Sequence, residues 1–348
     1  MTNAGAGPRP PTISVVVLAH DRRQYLKGAV ASIVGQDLER SEFEIIVVKN
    51  FLDPAIDEYL AEVHADSILC TDLRGAVKVA VGFGRCRGRV ILVLDDDDLF
   101  EPSRLRTITK AFDSHPNLGF YTNRFTYIGA DGRPLPARSL RAFGHRSPNR
   151  EAALMIGFPR VADEMRSLAG RFPDFNVSSS AIRRELVEQS LPYMVRMQST
   201  VDTLFFFSAL ASKYSILLDN APLTRYRIHG GNMTLAGAGS PEVRLNRLLG
   251  FAKVADRDYR VVRDLVASSP QPFAMRTIDA RLLVNQLTLA SRDPGSRRRD
   301  FVRLLPALIQ YRDTYPVREN LPGVLGATLF LFSPSLGRAV YRRQMSIV

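Results

Sequence analysis

Short continuous apolar runs alternate with helical patterns in the amino-terminal part of the chain. Residues 13–19 form an almost unbroken β-branched run, which is typical of a strand covered on both faces. Leu26, Val30 and Ile33 then recur at helical spacing, before a second apolar run at 43–48. A strand, a helix and a second strand in this order predict a βαβ unit.

The same alternation continues to residue 94. It predicts a helix at 54–64, a short strand at 67–70, a helix of small residues at 75–84 and a strand at 90–94. This repetition predicts an α/β domain with a mostly parallel sheet. In such sheets ligands bind beyond the carboxyl ends of the strands. Polar residues follow the first, second and fourth strands, so we expect them to share that edge.

The run of four aspartates after the fourth strand is the most unusual polar feature. Adjacent carboxylates repel one another unless a cation or hydrogen-bond donors compensate them. In an extended segment Asp95 and Asp97 point to one side and Asp96 to the other. Two carboxylates on one side can hold Mg²⁺ or Mn²⁺ while a diphosphate completes the coordination. Asp98 is expected to cap a helix that begins near Pro102, but a cap needs only one aspartate and does not account for the other three.

A long segment without a regular pattern interrupts the middle of the chain. It covers residues 133–172, follows an alternating strand pattern at 119–128, and is rich in Pro, Gly and Arg. Loops of this length inside a domain are usually functional or disordered. We therefore interpret the segment as a lid or long loop with one short helix near 151–156.

The carboxyl-terminal region has a different character. Apolar positions follow helical spacing from 245 to 266, and further helices are predicted near 276–290 and 298–311. The chain is accordingly divided into a disordered tail at 1–11, an α/β domain at 12–238 and an Arg-rich helical region at 239–348.

Charge changes this picture more than the rest of the composition does. The 348 residues are 45% hydrophobic and 24% charged, which is the balance of a folded globular protein, and the net charge is +12. Most of the excess positive charge lies beyond Arg244. Such a region suits nucleic acid, an anionic membrane surface or phosphorylated substrates. We exclude nucleic acid as a partner because neither zinc-finger spacing nor an aromatic-rich RNA signature is present.

Several features bear on the cellular location. Cys70 and Cys86 imply no disulfide framework and fit a reducing compartment. Residues 1–11 lack the apolar segment of a signal peptide. Residues 321–337 carry no charge, but they are short for a membrane span and are interrupted by prolines. We expect a cytoplasmic protein with peripheral attachment at the cytoplasmic face of a membrane. Packing of residues 321–337 as core is an equally weighted alternative.

Several segments, in order, resemble glycosyltransferase family 2. The matching segments are Val15 to Arg22, Glu44 to Val48, Leu94 to Leu99, Asn176 to Glu185, Thr200 to Leu204 and Leu223 to Asn232. The resemblance covers about residues 12–234 and implies the GT-A fold, with the helical region as an appendix. It also implies an inverting enzyme that moves a sugar from a nucleoside-diphosphate sugar to a hydroxyl of a glycan, lipid-linked or protein acceptor.

The resemblance implies roles for individual residues. Asp95 and Asp97 occupy the DxD places of the family, so that Asp97 is implied as a ligand of Mn²⁺ or Mg²⁺. His229 is implied as a second metal or diphosphate contact, with a structural role as the alternative. The implied donor contacts are Ala19, His20, Asp21, Arg22, Asn50, Lys78, Asp95 and Asp96.

Asp202 is the candidate general base. An inverting transferase needs one carboxylate to take the proton of the acceptor hydroxyl while that oxygen attacks the anomeric carbon. The alternative is that Asp202 caps a helix predicted at 203–213.

The sequence departs from the family in two places. Lys49 and Asn50 stand where the family has acidic residues after its second strand. Asn50 can still bond a base edge, so the choice among UDP, GDP and dTDP stays open. Val79 and Ala80 replace the usual Arg-Asn pair. Lys78 is then the remaining positive charge, with a solvated helix lysine as the alternative.

Two other functions are weighed against a glycosyltransferase. A metal-dependent nucleotidyl or phosphoryl transferase would share the α/β sheet, but the chain has no P-loop. A non-catalytic sugar- or membrane-binding module would be favoured by loss of the site, but Asp97 and Asp202 are both present.

Overall fold

A nine-stranded mixed sheet organises the computed structural model, which describes residues 10–136, 153–157, 176–232, 241–292 and isolated positions between 302 and 333. The strands are β1 (Ile13–Ala19), β2 (Phe43–Lys49), β3 (Asp66–Leu69), β4 (Val90–Asp95), β5 (Leu99–Phe100), β6 (Leu118–Ile128), β7 (Leu154–Ile156), β8 (Ser180–Arg183) and β9 (Ser215–Arg227). The helices are α1 (Arg23–Val34), α2 (Pro54–Glu62), α3 (Gly75–Phe83), α4 (Arg104–Ser114), α5 (Arg184–Met194), α6 (Val201–Leu210), α7 (Pro241–Val266) and α8 (Pro272–Arg292).

The strand order creates a switch point between β1 and β4. The order is β3-β2-β1-β4-β8-β6-β9-β5, with β7 paired to β9. The first four strands are parallel, as the alternation of strands and helices predicts, and β8 introduces the antiparallel part. From β1 the chain moves outward to β2 and β3 and then returns to the other side of β1 as β4. The connections after β1 and β4 therefore diverge and leave a crevice at the carboxyl ends of these strands.

Strand β1 is buried on both faces because helices cover both sides of the sheet. Val16 packs into a core cluster with residues of α3, α5 and α6, whereas Val15 and Val17 pack into a cluster with residues of α1, α2 and α4. Successive side chains of a strand point to opposite faces. The continuous β-branched run therefore packs into two hydrophobic cores, one on each face of the sheet.

Helices α7 and α8 share the first of these cores. Ala255, Val262 and Ile278 are buried in the same cluster as Phe205 and Leu204 of α6. Arg263 of α7 forms an ion pair with Asp279 of α8, at 2.6 Å. The helices of the Arg-rich region thus pack directly on the helix that begins at residue 201.

Two sequence expectations differ from the structure. The helix predicted near 151–156 is wrong over its described part, because residues 154–156 form strand β7, which pairs with β9. Helix α6 begins at Val201, which is earlier than predicted. Residues 1–9 of the predicted tail, most of the lid at 133–172 and most of residues 321–337 lie outside the described residues. Among the described residues, no helix combines the length and apolar character needed to cross a bilayer.

Candidate active site

The aspartate run lies at the switch point of the sheet. Leu18 near the end of β1 pairs with Asp95 at the end of β4. After β4 the chain turns tightly, and the backbone N–H of Asp98 donates to the carbonyl of Asp95 at 3.2 Å. After β1 the chain turns at Asp21, whose φ is +56°. Aspartate is one of the residues that tolerate this left-handed conformation. The two loops therefore face each other across the crevice.

Asp96 joins the two loops. Its Oδ2 accepts a hydrogen bond from the backbone N–H of His20 at 2.7 Å, and its Oδ1 lies 2.6 Å from Nη2 of Arg22. The side chain of Asp96 is fully buried. Asp96 therefore faces the β1 loop.

Three side chains contact Asp97, and they belong to Arg22, His229 and Arg227. Its Oδ2 contacts Nη1 of Arg22 and lies 2.9 Å from Nε2 of His229. Its carbonyl accepts a hydrogen bond from Nε of Arg227 at 2.6 Å. Arg227 also stacks on the ring of Tyr25, with 4.7 Å between the guanidinium carbon and the ring centroid. The structure thus brings Asp97 and His229 together, as the sequence predicts.

Asp98 does not cap the following helix. Helix α4 begins at Arg104 and its N-cap residue is Ser103. Asp98 is buried, and its Oδ1 accepts a hydrogen bond from the backbone N–H of Arg227 at 2.8 Å. The predicted cap is therefore wrong, because the carboxylate turns inward to bond the end of β9.

Burial disfavours the ionised form of the aspartates in this cluster and so raises their pKa values. Burial raises the pKa of Asp95 to about 7, with a further contribution from the charge of Asp97. Burial also raises the pKa of Asp96 to about 7, against the opposing charge of Arg22. The pKa of Asp98 is raised by burial and by the charges of Asp97 and Asp95. For Arg22, burial is outweighed by the surrounding aspartates, so its pKa is raised.

The residues present fit a divalent cation. One oxygen each from Asp95, Asp97 and Asp98 lies within 4.8 Å of the other two. Asp98 Oδ2 is buried and has no hydrogen-bond partner. Oxygen ligands of this kind suit Mg²⁺ and Mn²⁺, and a cation among them would lower the cost of their mutual repulsion. Asp98 thus joins the set of candidate ligands, although the sequence assigned it to a helix cap.

His229 is held in one orientation by its own loop. The backbone N–H of Gly231 donates to Nδ1 at 3.0 Å, which leaves Nε2 as the nitrogen that faces Asp97. A neutral ring in this arrangement carries its proton on Nε2. Metal ligation through Nε2 would require that proton to leave and the Gly231 contact to change. The role of His229 as a metal ligand stays a prediction.

Lys78 is buried at the end of β1. Its ammonium group donates to the carbonyl of Ala19 at 3.0 Å and lies 2.8 Å from Nδ1 of His20. Lys78 is 1% exposed, so the solvated-lysine alternative is wrong. Burial, followed by the charge of Lys78, lowers the pKa of His20. Helix α3 thus places the ammonium group of Lys78 at the sheet edge where the donor contacts are predicted.

Asn50 and Asp21 bond each other across the neighbouring loops. Asn50 Oδ1 accepts from the backbone N–H of Asp21 at 3.2 Å, and Nδ2 donates to its carboxylate at 3.3 Å. Lys49 instead turns into the protein, where its ammonium lies 2.8 Å from Asp57 of α2. Asn50 is therefore the polar side chain that β2 presents to the β1 loop.

Asp202 reaches the same region from α6. It is the second residue of that helix, and Thr200 is the N-cap, so Asp202 does not cap it. Its Oδ1 accepts from the backbone N–H of Thr203 at 2.7 Å. Burial raises the pKa of Asp202; Arg281 opposes the shift and Asp258 adds to it. The charge of Asp202 is also among the causes that raise the pKa of Asp95, after burial and the charge of Asp97.

Two buried arginines touch or flank the cluster but were not selected from the sequence. Arg227 lies within the resembling segment at 223–232, two residues before His229. Arg104 is fully buried, donates to Asn123 at 3.0 Å and stacks on Phe100 at 3.9 Å. Burial lowers the pKa of Arg104 to about 9, although the charge of Asp98 acts in the opposite direction. No local pattern distinguishes Arg104 from a surface helix residue, so nothing in the sequence pointed to its burial.

Comparison with known proteins identifies relatives of this arrangement. Residues 14–191, a little over half of the chain, match the model of the family described as glycosyl transferase family 2. A protein of Nostoc sp. (strain PCC 7120), named as an uncharacterized glycosyltransferase, is 22% identical over 242 residues, which are 66% of this chain and 68% of that protein.

Solved structures show the same fold. TarS of S. aureus in complex with UDP-GlcNAc matches with a TM-score of 0.57 and 15% identity, over 95% of this chain and 89% of that chain. The mannosyltransferase PcManGT of Pyrobaculum calidifontis, in complex with GDP-Man and Mn²⁺, matches with a TM-score of 0.53 and 16% identity, over 97% and 85% of the two chains. The fold predicted from the sequence, GT-A with additional carboxyl-terminal helices, is confirmed.

The raised pKa of Asp96 makes its contribution to stability depend on pH. The folded protein holds this proton up to about pH 7, whereas an unfolded chain releases it near pH 4. The stabilisation is complete below the unfolded pKa and is lost as pH rises through the folded one. In metal-free buffer, Asp96→Asn should therefore gain stability relative to wild type by up to about 1.4 kcal/mol per pH unit between pH 4 and 7.

Urea denaturation of both proteins at pH 5 and pH 7 measures this gain. Asp113→Asn, which removes an exposed carboxylate from α4, controls for the general effect of one lost charge. A stability difference between wild type and Asp96→Asn that is the same at both pH values would contradict the prediction.

Proposed function

Because this chain belongs to glycosyl transferase family 2 and is a glycosyltransferase, we propose that it transfers a sugar from a nucleoside diphosphate to an acceptor hydroxyl with inversion. Asp202 is the general base of this proposal, and the aspartates after β4 hold the donor and a divalent cation. The observation that carries the proposal is the convergence of Asp95, Asp97 and Asp98 at the switch point of the sheet, where one oxygen of each lies within 4.8 Å of the others.

The separation of roles between these carboxylates supports the proposal. Asp95, Asp97 and Asp98 converge on one point, which suits a cation and a diphosphate. Asp202 stands on another element, at the start of α6, and is not one of the three converging carboxylates. A carboxylate beside the donor site, but outside the candidate metal ligands, is suited to accept a proton.

Transfer then proceeds in one displacement. The acceptor oxygen attacks the anomeric carbon, its proton passes to a carboxylate oxygen of Asp202, and the bond to the diphosphate breaks on the opposite face. The raised pKa of Asp202 makes the carboxylate a better proton acceptor. Negative charge develops on the departing diphosphate. A bound divalent cation would neutralise that charge, held by Asp97 with Asp95 and Asp98.

Two cations of the chain flank the departing group in this proposal. Arg22 bridges Asp96 and Asp97, and its side chain is 26% exposed, so one face remains open to a ligand. Lys78 lies behind His20 at the end of β1. Asn50 is the side chain proposed to meet the base. The neighbouring structures bind UDP-GlcNAc in one case and GDP-Man in the other, so both nucleotides belong in the test.

Donor binding should depend on the metal. A thermal-shift screen of UDP-, GDP- and dTDP-sugars should find at least one that raises the melting temperature in the presence of Mn²⁺ and has a much smaller effect with EDTA. Asp97→Asn should abolish the metal-dependent part of that shift. The proposal fails if no nucleotide sugar stabilises the protein in a metal-dependent way.

Asp202→Asn should separate binding from turnover. The amide keeps the size of the side chain but cannot take a proton, so kcat should fall by about 10²- to 10⁴-fold. The donor-dependent thermal shift should match that of wild type, because no donor contact is removed. Turnover is followed by release of the nucleoside diphosphate, and wild-type turnover in this variant would remove Asp202 as the base.

We further propose that the basic carboxyl-terminal region attaches to an anionic membrane surface. Residues 321–337 carry no charge and are flanked by Arg318, Arg338, Arg342 and Arg343. The protein should co-sediment with phosphatidylglycerol vesicles at low salt, less so at high salt, and not with phosphatidylcholine vesicles. Deletion of residues 315–348 should abolish binding. Full-length protein that does not bind the anionic vesicles would contradict this proposal.

A further inference from the structure

Asp258, on helix α7, binds the loop that leads into the candidate base. Its carboxylate accepts hydrogen bonds from three successive backbone N–H groups and from one hydroxyl, all within residues 198–200. We propose that Asp258 is a positioning residue for sugar transfer, which sets the place of Asp202 by fixing this loop. The inference rests on the proposed role of Asp202 as the base.

Both carboxylate oxygens of Asp258 accept hydrogen bonds from the loop. Oδ1 accepts from the N–H of Gln198 at 2.8 Å. Oδ2 accepts from the N–H of Ser199 at 2.9 Å, the N–H of Thr200 at 2.9 Å and the Thr200 hydroxyl at 3.1 Å. All four partners are donors, and a carboxylate offers about four acceptor sites on its two oxygens. Asp258 is 1% exposed, so these bonds are shielded from water.

The bonds fix the residues that lead directly into α6. The N-cap Thr200 makes no capping bond with its side chain. The Thr200 hydroxyl turns to Asp258 instead. A carboxylate at a helix N-terminus also interacts favourably with the helix dipole. Asp202 is the second residue of α6, so the place where the helix starts decides where that carboxylate lies.

A second element holds the same loop from the other side. The carbonyl of Gln198 accepts from the N–H of Ala76 in α3 at 3.3 Å, and Arg74 donates to the carbonyl of Val195 at 3.1 Å. Helix α3 also carries Lys78, whose ammonium contacts the β1 loop. The loop is thus fixed between a helix that reaches the predicted donor contacts and a helix of the carboxyl-terminal region.

Packing alone does not account for an aspartate at this position. Helix α7 is already attached to the core by Ala255, Tyr259 and Val262, which are all buried there. A buried carboxylate costs free energy unless it is fully hydrogen-bonded. Here that requirement is met by three backbone N–H groups and one hydroxyl of a single loop. The side chain therefore fixes the loop, in addition to the apolar contacts that fix the helix.

Asp258→Asn tests the inference because it keeps the volume and one acceptor oxygen. The amide nitrogen cannot accept the hydrogen bonds now made by one carboxylate oxygen, so the loop should shift. A displacement of about 1 Å at a reacting group can cost on the order of 100-fold in rate. We expect kcat to fall by about 10- to 100-fold, while the KM for the donor and the donor-dependent thermal shift stay at wild-type values.

Asp256→Asn is the matched control. It lies on the same helix and pairs with Arg260 of that helix, at 3.0 Å. Its kcat should stay close to that of wild type. Activity is measured as release of the nucleoside diphosphate from the nucleotide sugar found in the thermal-shift screen, with water or an alkyl glycoside as acceptor. Wild-type kcat in Asp258→Asn overturns the inference, and so does a parallel loss of donor binding, which would indicate general damage to the site.

Two further measurements keep the test decisive. If Asp258→Asn does not fold, Thr200→Val removes only the hydroxyl bond and should still lower kcat several-fold at unchanged donor KM; an unchanged kcat there overturns the inference. Asp202→Asn is assayed beside both. Wild-type turnover in Asp202→Asn defeats the proposed base, whereas loss of turnover there together with wild-type turnover in Asp258→Asn defeats only the positioning role.

Discussion

The concentration of negative charge at the end of β4 is the constraint on which the rest of the site depends. Asp95 is the last residue of this strand, and the three aspartates that follow it are all buried. Such a cluster folds only if other elements bring donors and cations to it. Arg22 comes from the loop after β1, and Arg227 and His229 come from the end of β9. The ion pairs and hydrogen bonds that compensate these carboxylates therefore hold together the loops around the crevice.

The sheet topology explains why these partners meet there. β1 and β4 are neighbours, but the connections that follow them leave in different directions, so their carboxyl ends open into a crevice. β9 passes the same place because it pairs with β5, which directly follows the aspartates. Helix α6 carries Asp202, the proposed proton acceptor. That helix is in turn held by α7, so the carboxyl-terminal helices bear on the chemistry as well as on the core.

Much of the fold was predictable because each strand of the first half repeats a simple local pattern. The runs at 13–19, 43–49 and 90–95 are buried on both faces, and continuous apolar runs report this directly. The lid segment was harder, since its only described strand, β7, is three residues long and is stabilised by pairing with β9. No local pattern predicts a strand whose stability comes from a distant partner.

The sequence by itself determined the fold class, the aspartate run, and the candidates Asp202 and His229, because spacing and residue type are local properties of the chain. Only the tertiary structure decided that Asp98 joins the cluster and leaves the helix cap, that Lys78 is buried, and that Asp258 holds the loop before Asp202. Each of these depends on which distant groups surround a side chain. Each of these side chains is buried and hydrogen-bonded by elements that lie far from it in the chain. No local sequence pattern shows which elements these are.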